Sequence, residues 1–181
     1  MRTLTCLGIA LFALVPSLGR TDDSLARFRG GIGVDGVSSA PGLAPVAATV
    51  TRNIVRGVQP AAQLWTIADF KAEVQTDGRI QANGRGLVFA GGDTVGTALV
   101  VTPTGGTATL TVFATLICEN VAPFIERNTN PVPLSAEGDF RINDVLTPPP
   151  PASCHTPVLL IRNAGNRAWF AAGIQKFDDE D

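Results

Sequence analysis

Tyrosine is absent, histidine and methionine occur once each, and only three cysteines and two tryptophans are found among 181 residues. Charged residues make up 17% of the chain. The single histidine, His155, cannot build a histidine metal cluster, and it leaves any serine or cysteine nucleophile with one imidazole partner at most. The G-x-S-x-G elbow of serine hydrolases does not occur. The basic residues are nearly all arginine and stand singly along the chain, so the clustered footprint of a nucleic-acid binder is missing. No long apolar run follows the first nineteen residues, and no transmembrane segment is expected after them. Carboxylates could hold calcium, but Asp139, Asn143 and Asp144 lack the D-x-[DN]-x-[DN]-G order of a calcium loop. No metal and no cofactor is implied.

What is present begins with a leader. Arg2 precedes an apolar stretch from Leu4 to Val15, which Pro16 ends, and small residues follow around Ser17-Leu18-Gly19. This is the pattern of a secretory signal peptide over residues 1–19, and the run is shorter than the ~20 residues of a membrane span. Cleavage would remove Cys6 and Arg2, taking the formal charge from −2 to −3. It leaves Cys118 and Cys154 as an even pair in an exported chain, where a disulfide is expected. The expected location is secreted or periplasmic. A catalytic Cys118–His155 dyad would need both thiols reduced, which export disfavours. Cys154 and His155 are neighbours on an extended chain and would point to opposite faces.

Residues 20–50 are rich in glycine, alanine, serine and proline and show no clean period, which reads as a flexible N-terminal arm. Residues 51–177 read as a single β domain and 178–181 as an acidic tail. Gly31-Ile32-Gly33-Val34-Asp35-Gly36 matches G-x-G-x-x-G, but Ser38 to Gly42 cannot start the helix that a dinucleotide fingerprint needs.

The clearest strand runs from Leu64 to Gln75, with Leu64, Thr66, Ala68, Phe70, Ala72 and Val74 on one face. Trp65 and Ile67 interrupt the polar face. They either pack under the N-terminal arm or form a candidate binding patch. A three-residue loop, Thr76-Asp77-Gly78, pairs Val74 with Ile80 and keeps apolar residues together, whereas a two-residue loop mixes the faces. Thr107 to Cys118 alternates threonine with apolar residues, and Phe113 and Ile117 imply that the threonine face is partly covered. Four prolines at 148–151 predict a stiff loop. Val158–Arg162 and Ala168–Ile174 form a last hairpin, whose Trp169 and Phe170 have opposite parity. About eight strands predict an all-β, antiparallel two-sheet β-sandwich, with a small closed β-barrel as the alternative.

Two functions fit. One is a non-catalytic binding or structural module with a protein or glycan partner. The other is a carboxylate-dependent extracellular hydrolase, which needs two of Asp69, Glu73, Asp77, Asp93, Glu119 and Asp139 in one cleft. A third option adds the arm to another subunit's sheet edge, against which its prolines weigh.

Overall fold

The computed structural model describes residues 23–40 and 49–177, so the leader and the acidic tail lie outside the described residues. Fifteen strands and no helix are found among them. The first seven are β1 (Ser24–Gly33), β2 (Val37–Ala40), β3 (Thr49–Arg52), β4 (Trp65–Thr66), β5 (Asp69–Gln75), β6 (Arg79–Arg85) and β7 (Val88–Phe89). The rest are β8 (Val100–Val101), β9 (Thr107–Ala108), β10 (Thr111–Ile117), β11 (Arg127–Asn128), β12 (Val132–Pro133), β13 (Phe140–Val145), β14 (Val158–Asn163) and β15 (Trp169–Lys176).

Nine strands form one curled antiparallel sheet, a half-barrel, in the order β11, β10, β14, β15, β1, β5, β6, β13, with β12 also on β10. Three small ribbons, β2–β3, β4–β7 and β8–β9, complete the architecture. The expected two-sheet sandwich is not what forms: the long strands lie in one large sheet, and β1 is the strand that joins its two halves. β10, β14 and β15 lie on one side of it and β5, β6 and β13 on the other. Inserted between β15 and β5, it joins them into one. The two ends of the sheet also approach each other. Asn128 and Thr147 exchange backbone hydrogen bonds at 2.8 and 2.9 Å, and Asp144 accepts from the Asn130 N–H at 2.6 Å.

Part of the region read as a flexible arm is thus a central strand. Ala26 and Phe28 face the core while Arg27 and Arg29 face out, which is ordinary period two. The period is then hidden by a bulge between Phe28 and Gly31, where Gly30 takes a φ of +80°. At Gly31 a Cβ would come 2.9 Å from Ile67 Cγ2 and 3.2 Å from Phe70 Cβ. At Gly31 and Gly33 the core packs directly against backbone, while Gly30 supplies the positive φ of the bulge, so the glycines that make the segment resemble a linker serve a strand.

The β5–β6 hairpin has the three-residue loop, with Val74 opposite Ile80 and both fully buried. Gly78 adopts φ +88° and donates to the Gln75 carbonyl at 2.9 Å. The long strand expected from Leu64 to Gln75 is instead broken at Ile67–Ala68, where the Ala68 N–H turns to the Arg85 carbonyl. The break reverses parity. Trp65 and Ile67 face inward and Leu64 and Ala68 outward, before Phe70, Ala72 and Val74 resume the buried face.

β10 is buried on both faces from Val112 to Ile117. Neither Trp169 nor Phe170 faces solvent. Trp169 lies under residues 53–61, where its indole N–H donates to the Asn53 carbonyl at 3.0 Å. Phe170 stacks on Trp65.

Cys118 and Cys154 form a disulfide with their Cα atoms 5.0 Å apart, and Cys154 is buried. Such a bridge belongs to an oxidising compartment. No helix among the described residues is long and apolar enough to cross a membrane.

Just beyond the bridge, Glu119 receives Arg127 Nη2 at 2.8 Å and Nη1 at 3.2 Å, and the Ile125 N–H at 3.2 Å. The Arg127 hydrogen bonds, outweighing desolvation, hold the Glu119 carboxyl down from 4.5 to about 2. A carboxyl lowered by folding stabilises the native state above its unfolded pKa, and that contribution fades as pH falls through the folded value. Melting temperature is expected to fall between about pH 4.5 and about 2, and Glu119→Gln to flatten that part of the acid limb. An unchanged limb in the variant would show that other carboxylates set it.

Candidate binding site

Trp65 and Ile67 do not form an exposed patch. Trp65 is 4% and Ile67 9% exposed. Ile67 lies against Gly31, and the Trp65 N–H donates to the Val34 carbonyl at 2.9 Å. Both pack beneath β1 and the residues just after it, the first of the two arrangements the sequence allows.

Trp65 nevertheless opens onto a cavity. Its ring lies between Phe170, stacked at 4.0 Å, and Phe89, tilted at 4.1 Å. The three rings line a pocket of about 250 Å³ together with Leu110. The pairing of β4 with β7 sets Trp65 opposite Phe89, and β15 supplies Phe170 from the main sheet.

The other lining is amide. Asn163 ends β14 and Asn166 lies in the turn to β15. Asn163 Oδ1 accepts the Gly165 N–H at 2.7 Å, and Asn166 Oδ1 accepts the Ala168 N–H at 3.1 Å. A backbone N–H can pair only with the amide oxygen, so both side-chain orientations are fixed. The two NH₂ groups have no partner among the described residues. An apolar floor beside unclaimed donors suits an apolar group that carries a hydrogen-bond acceptor. The sequence marks these asparagines only as turn formers, because Asx turns and ligand-facing amides look alike in one dimension.

Of the candidate carboxylates, only Asp69 and Asp139 come together. Asp77 pairs with Arg79 at 2.9 Å, and Glu119 is held by Arg127. Asp93 is exposed in the loop after β7, and Glu73 lines a depression of about 230 Å³. Asp69 and Asp139 do share a depression, of about 480 Å³, with Lys71, Arg85 and Arg141 around them. Both are exposed, and Asp139 Oδ1 accepts the Gly86 N–H at 3.1 Å. A general acid works best in an apolar, water-poor setting, which this sheet face is not. Cys118 is oxidised and offers no thiolate to His155. No group of three or more His, Cys, Asp or Glu side chains converges as a metal site among the described residues.

No protein-family model, curated protein or solved structure matches the chain.

Proposed function

We propose that the chain is a non-catalytic binding module acting outside the cytoplasm, secreted or periplasmic. Its ligand is an apolar group bearing a carbonyl or carboxylate, seated beside Trp65. One observation carries this reading: the Trp65–Phe89–Phe170 floor opens to a cavity lined by two asparagine amides whose oxygens are already used. The disulfide supports the compartment.

The test uses phenylacetate, an apolar ring with an acceptor, and phenethylamine, a similar ring with a cationic donor. Phenylacetate is expected to shift the Trp65 indole and the Asn163 and Asn166 side-chain amide resonances together, and phenethylamine to leave them in place. Ala62→Trp, at an exposed lining position, should fill the cavity and abolish the shifts. Shifts that survive Ala62→Trp, or that appear only elsewhere, would sink the reading.

A further inference from the structure

The outward face of β1, β5, β6 and β13 carries a second feature, independent of the aromatic pocket. Register places Arg29 opposite Lys71, Lys71 opposite Asn83, and Asn83 opposite Arg141. All four are exposed, and neighbouring strands lie about 4.8 Å apart, so the row spans about 14 Å. It holds three cations and no acid. The rows on either side are mixed, with Asp69 opposite Arg85 in one and Glu73 opposite Arg27 in the other.

Lys71, Arg141 and Arg29 make no side-chain hydrogen bond or ion pair among the described residues, although acids occupy the adjacent rows. Two cations directly opposite each other on one sheet face repel and weaken the pairing. The repulsion is retained on a chain whose overall formal charge is −2. A bound anion would relieve it.

The surroundings narrow the class of anion. A row of this length exceeds one small ion and suits a linear polyanion. The adjoining depression is lined by Gln75, Gln81 and Asn143, amides that donate to and accept from hydroxyls, together with Glu73 and Arg79. The aromatic side chain lining either depression is Phe140, which is 6% exposed, so this face has no platform for stacking bases.

We infer that this face binds an acidic polysaccharide, with carboxylates on the Arg29–Lys71–Arg141 row and hydroxyls on the neighbouring amides.

Binding of oligogalacturonate by the full chain is measured by calorimetry against neutral dextran and a single-stranded DNA of equal charge. Oligogalacturonate is expected to bind with an affinity that weakens as salt rises, and dextran not to bind. Arg141→Glu should weaken binding about tenfold. Arg52→Glu, on the β2–β3 ribbon, makes the same charge change away from the row and should leave affinity unaltered. Arg141 is exposed and makes no side-chain hydrogen bond or ion pair among the described residues, so its replacement should melt at the wild-type temperature. Equal binding of dextran, equal loss with Arg52→Glu, or DNA binding as tight as that of oligogalacturonate would each overturn the inference.

Discussion

Replacing Cys118 and Cys154 together by alanine is expected to lower unfolding free energy by roughly 4 kcal/mol. The bridge closes a loop with a sequence separation of 36. That loop contains β11, β12, β13 and the proline segment, while its ends are tied to β10 and β14, which already pair. In the folded state the bond adds little constraint between two adjacent strands. In the unfolded state it removes the conformations in which those strands drift apart, so most of the effect acts there. Loss on this scale is a large share of the 5–15 kcal/mol of a typical domain. The check is urea unfolding with and without reductant. Reduced wild type should fall to the level of the double variant, and the variant should ignore reductant. The denaturant slope should rise in both, because an unbridged unfolded chain exposes more surface. A wild-type midpoint indifferent to reductant would disprove the staple, as would two labelled thiols in the denatured, unreduced protein.

Glu126→Gln should be the second most damaging change considered, lowering stability by about 2–3 kcal/mol. Arg162 on β14 is buried, with 4% of its side chain exposed, and sits opposite Phe113 on β10. Its guanidinium donates to Glu126 Oε2 at 2.8 Å, to Thr115 Oγ1 at 3.2 Å and to the Arg167 carbonyl at 2.7 Å. Arg162 and Arg167 both lie 5.2 Å from the Phe113 ring centroid, and Glu126 pairs with both. Burial pulls the Arg162 pKa down and Glu126 opposes it. For Glu126, burial pushes upward, but its two arginine partners prevail and the carboxyl lies below its ordinary value.

Neutralising Glu126 strands a buried cation beside a second one. The expected loss falls at or below the roughly 3 kcal/mol lower end for a broken buried pair, because Glu126 keeps 35% of its side chain exposed. Pairing the change with Arg162→Met removes the stranded charge and retains an apolar contact with Phe113. The double variant should therefore lose less than the sum of the single losses, a coupling that equilibrium unfolding of all four proteins would measure. Strict additivity would mean that the pair contributes nothing specific.

The division between what is legible in the sequence and what is not follows the range of the interactions. Alternation at Phe70–Val74 and the Thr76-Asp77-Gly78 turn are local, and both are read correctly because register and turn type depend on residues within a few positions of each other. Parity at Trp65 and Ile67 is misread because the backbone bends at Ala68 to reach Arg85, a partner that sequence spacing does not reveal. The sequence indicates that the threonine face of β10 is covered but not by what, because Arg162, which lies over Phe113, is 49 positions away.

By itself, then, the sequence determined the all-β class, the pairing of Cys118 with Cys154, and the first hairpin's register, all of which rest on composition or near neighbours. Tertiary structure alone decided that β1 joins the two halves of one large sheet, that turn asparagines border an aromatic pocket, and that three singly spaced cations from three strands share one row. Each of these depends on which distant segments lie side by side. A strand's pattern of faces shows that it must be covered, but not by what.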